Sequence, residues 1–433
     1  MNEQLSKNLE SSSRDLALSC FGAFSCSLVS LGLELVLAKI ALINLGSSAV
    51  ASTITITIYL FGLTLGALMA QNSKQRSLMG QAAATILLVS PGLLLALMSF
   101  LGSTNLPNQT ILLLLTIALV LPSTSSAALV SLLATRQLTK SHTEQQAKKR
   151  TASNFVYLAA NLGAFCGALL TGFFILPHFG MSGCLVALAL VMTPAAILSW
   201  FMTREPLEEV VEEPESQLSQ SISKSTYPIL FGTALLLTVL ECDWLRLSSL
   251  LLGSSSQTFA TTLAAIIAGL AIGNIVAIHL NKKLRNNSDL KFLPAAALTL
   301  STFACLLSLK SIALLPIIFQ NLRIYFQLGQ LENSNFILMP QVLATAALVL
   351  PTSISLGLIY PIYTSSLSGY QWRKAYTISA AGAIAGPSLF LIILPITSLI
   401  IVVKICIVIL ALFTFAEGLL IVKRLKILSL ACL

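Results

Sequence analysis

Seven ionisable residues stand inside otherwise apolar runs of this chain: Glu34, Lys39, Glu241, Asp243, Arg246, Lys404 and Glu417. On insertion scales, a charge within hydrocarbon costs about 2.5–3.5 kcal/mol, so such residues are rare and tend to bind, relay or pair. Spacing narrows the choice. Glu34 and Lys39 are five apart, as are Glu241 and Arg246, which turns each pair about 140° around a helix and off a common face. Asp243 and Arg246 are three apart and can pair locally. Between two helices, reciprocal pairs are available, Glu34 with Arg246 and Glu241 with Lys39, and these would close a gate near the outer membrane surface. Alternatively, Lys39 and Arg246 snorkel to that surface while local hydrogen bonds hold the acids. Lys404 either reaches a lumen or snorkels, and Glu417, near Lys423 and Arg424, reads as interfacial. His142, His178 and His279 read as surface polar groups. The eight cysteines show no CxxC or Cys/His ligand spacing, so neither a zinc site nor a disulfide framework is expected. No nucleophile–base or metal constellation is visible, so the expectation is no enzyme, no cofactor and no metal.

The elements that hold these residues are membrane helices. Of 433 residues, 56% are apolar and 9% charged, where soluble domains carry roughly a quarter charged. Mean hydropathy is +0.89. The fold class expected is all-α integral membrane, with twelve transmembrane helices. In the first half the spans are 16–44, 48–70, 82–101, 110–134, 153–176 and 181–202; in the second they are 228–252, 256–280, 292–309, 336–366, 376–394 and 397–422. Within 310–335, the piece Ile312 to Phe319 reads as an interfacial or re-entrant segment. This divides the chain into a cytoplasmic lead-in (1–15), a first six-helix bundle (16–204), an acidic linker (205–226), a second bundle (227–422) and a tail (423–433). Met1 to Asp15 lacks the pattern of a removable signal. Placing the N-terminus inside puts 20 basic residues on the cytoplasmic side and two, Lys310 and Arg323, on the other. That asymmetry predicts a multi-pass plasma membrane protein, of bacterial inner-membrane type, with both termini cytoplasmic. The net charge of +9 therefore reflects retention of cations on one side of a lipid bilayer and not a nucleic-acid partner.

The chain is internally duplicated. ELVLAKIALINLGSS (Glu34 to Ser48) recurs as ECDWLRLSSLLLGSS (Glu241 to Ser255), and Glu34/Glu241, Lys39/Arg246, Gly46/Gly253, Gly62/Gly269 and Gly66/Gly273 are all 207 apart. LVLPSTS around Pro122 recurs as LVLPTSI around Pro351, and YLAANLGAFCG (Tyr157 to Gly167) as YTISAAGAIAG (Tyr376 to Gly386). Two six-span halves entering the membrane in the same orientation make a parallel repeat of the major-facilitator kind. These motifs, together with GLTLG from Gly62 and GLAIG from Gly269, resemble the membrane region of the spermidine synthase-like transmembrane proteins. In some members of that family a soluble aminopropyltransferase-like domain follows. This sequence has no strand–glycine-loop–helix for such a domain's cofactor, so synthase activity is not implied.

In a major-facilitator arrangement, spans two and eleven, and five and eight, meet between halves. GxxxG occurs in all four, at Gly62 and Gly66, Gly163 and Gly167, Gly269 and Gly273, and Gly382 and Gly386, which fits either a sliding interface or static close packing. Pro122 and Pro351, each followed by hydroxyl residues, read as helix kinks whose freed carbonyls Ser or Thr help satisfy. Asn161 is matched by Ala380, so a role for its amide would be one-sided. The stretch after span two lacks the Asp of the Gly–Asp–Arg loop common in major-facilitator transporters.

Two functions from different classes follow. One is a transporter that alternates access around a central cavity, with Glu34, Glu241 and Asp243 favouring a cationic, polyamine-like solute or a proton. The other is a non-transporting membrane subunit that partners a separate soluble synthase-like or maturation enzyme.

Overall fold

A computed structural model describes residues 2–45, 48–72, short pieces within 85–96, and 146–202, 225–253, 255–284, 292–328, 338–365, 367 and 369–431. Every described element is helical: α1 (Asn2–Leu45), α2 (Ser48–Asn72), α3 (Gln146–Leu169, running on as a π-helical stretch over Leu170–Ile175), α4 (Leu176–Met202), α5 (Thr226–Leu252), α6 (Ser256–Leu284), α7 (Leu293–Leu328), α8 (Leu338–Thr364), α9 (Gly369–Ile393) and α10 (Leu399–Ala431). Eight helical runs among the described residues are long and apolar enough to cross a membrane, one of them the 40-residue Phe155–Pro194. The fourth expected span (110–134) with Pro122, most of the third, nearly all of the acidic linker and His142 lie outside the described residues.

Local chemistry sets the joints. Gly180, at φ 66° and ψ −171°, breaks the long run inside α4, a backbone state that a side chain would strain. Thr171 and Leu188, from either side of it, both approach Gly32 of α1. The chain therefore doubles back at Gly180. Gly253, at φ 93°, ends α5, and Ser255 Oγ accepts the amide of Thr258 at 3.1 Å to cap α6. One expectation is corrected. Ile312 to Phe319 is not a separate re-entrant piece but part of α7, which runs unbroken past Lys310 and Pro316. Pro316 removes only one helical hydrogen bond, and Lys310 is exposed, so the helix continues without burying that charge.

Packing repeats as the sequence does. Gly163 of α3 lies against the backbone of Phe24 in α1, and Gly167 against Leu28; Gly382 of α9 lies against Phe231 in α5, and Gly386 against Leu235. Both bulky partners are offset by 207 residues and both glycines by 219. The same helix pair, in the same register, is built twice. At each glycine an added Cβ would collide with main chain, so these helices touch through their backbones. Gly269 and Gly273 seat in the same way on Ser353, Ile354 and Gly357 of α8, while Gly62 and Gly66 are buried.

Helices α2 and α9 meet, and so do α3 and α6, the approaches expected between halves. The GxxxG glycines of α3, α6 and α9, however, do not line those approaches; they pack within each half, against α1, α8 and α5 respectively. The sliding-interface reading is corrected for these helices. Glycine is used where helices must lock, and the α3–α6 seam uses alanine instead. Ala164, Ala168, Ala260 and Ala264 are buried there with Leu31 and Leu35 of α1, and Gly172 in the π-helical stretch meets Ala260. The outward faces carry bare apolar side chains such as Phe303, Leu314 and Ile317 on α7 and Leu412 and Phe415 on α10, the surface that lipid requires.

Candidate functional site: a central cavity between two acidic helices

Between the halves lies a cavity of about 300 Å³ with walls from α1, α2, α3, α5, α6, α8 and α9. Its two acids are Glu34 of α1 and Glu241 of α5, the pair that the repeat relates. Glu34 is 1% exposed, and its Oε2 has no hydrogen-bond partner. Glu241 is half-buried and near enough for like-charge repulsion to act between the two carboxylates. A buried carboxylate beside a second one is a strongly unfavourable arrangement unless a cation lies between them or one carboxyl takes up a proton.

Toward the end of the bundle where α3 and α9 begin, the cavity is aromatic. The rings of Tyr157 and Tyr360 lie 5.5 Å apart, Tyr360 meets Trp372 edge-on at 6.3 Å, and Trp372 stacks on Tyr376 at 5.8 Å. All four line the cavity. Asn161, also on the wall, has its Nδ2 buried without a partner, as is the Tyr360 hydroxyl.

The other sequence-selected residues are distributed differently. Lys39 lines a separate small pocket with Ala51, Ser52, Leu245 and Ser249. Among the described residues no ion pair joins Glu34 to Arg246 or Glu241 to Lys39; the acids turn to the cavity and Lys39 away from it. Asp243 is fully buried in the second half, and neither carboxylate oxygen has a hydrogen-bond partner. The guanidinium of Arg246, one turn along α5, acts on it through space. Lys404 is exposed on the outer face of α10, a peripheral helix packed mainly on α5 and α7. Lys404 therefore lies outside the cavity. Glu417, expected at an interface, is buried and accepts a hydrogen bond from Ser225 Oγ at 3.0 Å. His178 and His279 are exposed and bond to carbonyls one turn back. Around Pro351, Ser308 Oγ donates to the Leu348 carbonyl at 2.8 Å and Ser353 Oγ to that of Val349 at 3.1 Å. Hydroxyls thus serve carbonyls around Pro351, and α8 puts Leu356, Gly357 and Tyr360 on the cavity wall.

Sequence reasoning missed the aromatic residues. Tyr157 and Tyr376 open the two copies of one repeated motif, which marks them as equivalent, but no periodicity reveals that Tyr360 and Trp372 join them from elsewhere in the chain.

No family model matches the sequence, and no curated protein does. The fold does have counterparts among solved structures. A bacterial homologue of the iron transporter ferroportin, in an outward-facing state with soaked iron, matches with TM-score 0.59 and 12% identity over 93% of this chain and 99% of its own. The human organic anion transporter MFSD10 matches with TM-score 0.59 and 13% identity over 94% and 99%. A peptide transporter of the POT family, in complex with alafosfalin, matches with TM-score 0.58 and 12% identity over 94% of both chains. At these identities the likeness is one of fold. The fold is therefore the one these solved membrane transporters share.

Proposed function

We propose that this chain is an alternating-access transporter of a small cationic, polyamine-like solute, bound between Glu34 and Glu241 with Asn161 further along the wall. One observation carries the reading: two acids related by the internal repeat face one cavity, and Glu34 has a buried oxygen without a partner. A cation entering there relieves the repulsion of both carboxylates at once. The described residues contain no group of three or more His, Cys, Asp and Glu able to hold a metal, which favours an organic ammonium over a metal ion. The motif resemblance to spermidine synthase-like membrane regions supports the same solute class. The duplicated packing of α1/α3 and α5/α9 supports two six-helix halves that rock about the cavity. The charge asymmetry supports a bacterial inner membrane with both termini cytoplasmic.

The test is uptake by proteoliposomes offered labelled spermidine, amino acids, a dipeptide, an organic anion and ferrous iron under imposed pH gradients. Saturable uptake of the amine is expected. Absence of flux for every solute would transfer the chain to the membrane-subunit reading, in which it serves a separate soluble synthase-like enzyme.

A further inference from the structure

The cavity has two chemically different ends, held apart by the repeat itself. Tyr157 stands six residues before Gly163, and Glu34 ten after Phe24, the residue that Gly163 touches. Tyr376 likewise stands six before Gly382, and Glu241 ten after Phe231, which Gly382 touches. The acid level and the ring level are therefore separated by roughly 24 Å of helix in each half, less the reach of the side chains that lean into the space between. A compact monocation on the carboxylates would leave the ring end unused.

That end is built to take a cation. Four aromatic rings from three helices face one space, and a ring face attracts an ammonium most strongly where water is excluded. The buried Tyr360 hydroxyl, without a partner, offers an oxygen to accept an ammonium hydrogen, and the Asn161 amide offers another. No acid lines this end among the described residues, so what holds positive charge there is π-density and neutral oxygen.

Resting on the transport reading above, we propose that Tyr157, Tyr360, Trp372 and Tyr376 form a second substrate subsite, and that the solute is a linear cation carrying amino groups at both ends. One end sits between Glu34 and Glu241 and the other against the rings, with the intervening methylenes along the apolar wall of Leu237, Ile266 and Leu356. The rings then select for chain length, which the carboxylates alone cannot do.

The experiment is equilibrium binding to the full chain in nanodiscs, with butylammonium, 1,4-diaminobutane, spermidine and spermine as probes. In the wild type, affinity should climb along that series. In Trp372→Ala or Tyr360→Ala, spermine should weaken by about 10- to 30-fold while butylammonium stays unchanged, flattening the series. Trp372 also reports directly: its emission should shift with spermine and not with butylammonium, and the shift should vanish in Trp372→Phe, which keeps the ring and the fold. An undiminished length dependence in the ring variants, an equal loss for every probe, or a Trp372 signal from butylammonium would overturn the subsite. If the wild type bound no amine at all, the parent reading would fall, and the subsite with it.

Discussion

A carboxylate in a membrane needs a reason, and the three acids of the central helices have different ones. Glu34 and Glu241 both line the cavity; Asp243, two residues from Glu241, is fully buried away from it. Substitution should separate these roles. Glu34→Gln or Glu241→Gln should lower amine uptake by about tenfold or more, since a charge-assisted hydrogen bond in a dry site is worth roughly 1.5–3 kcal/mol. Asp243→Asn keeps the shape and removes a charge that no hydrogen bond compensates. Its melting temperature in detergent should hold or rise, and a fall of several degrees would show the carboxylate to be paired. The acids were legible in the sequence because charge stands out against apolar runs, and their spacing correctly turned Glu34 away from Lys39. Which charges would meet was not legible, because partners across helices depend on rotation about each axis. The four rings escaped notice for a related reason: tyrosine and tryptophan blend into apolar runs, and only packing shows them to converge.

At the level of the helix, close approach is governed by glycine, and the duplication provides its own control. Gly163→Ala and Gly382→Ala place a methyl against the main chain of Phe24 and Phe231. Each should destabilise by about 1–3 kcal/mol, by similar amounts. Gly22→Ala, which meets nothing within 4 Å, should be neutral or slightly stabilising. Thermal melts of the three variants decide it; unequal effects at Gly163 and Gly382 would break the equivalence of the α1/α3 and α5/α9 pairs. GxxxG spacing signals that helices touch but not which ones, because a small residue suits any neighbour. The ends of most spans were legible from apolar length alone. The α7 extension was not, since Lys310 interrupts an apolar pattern without interrupting the helix.

For the molecule as a whole, the halves meet at α2–α9 and α3–α6, and any rocking must pass through the alanine seam where Gly172 meets Ala260. Enlarging that point with Gly172→Ala should slow transport by several-fold while solute affinity at equilibrium is retained, a separation read by comparing flux with binding. The duplicated register of the α1/α3 and α5/α9 pairs was foreshadowed by the repeated motifs; the cavity followed only once the helices were placed. The decisive measurement is labelled spermidine flux into proteoliposomes containing either the wild type or the Glu34→Gln, Glu241→Gln double variant. Saturable flux in the wild type, abolished in a double variant that still folds and inserts, is the expected result. Equal flux in both would contradict the claim that the carboxylate pair is where the solute binds.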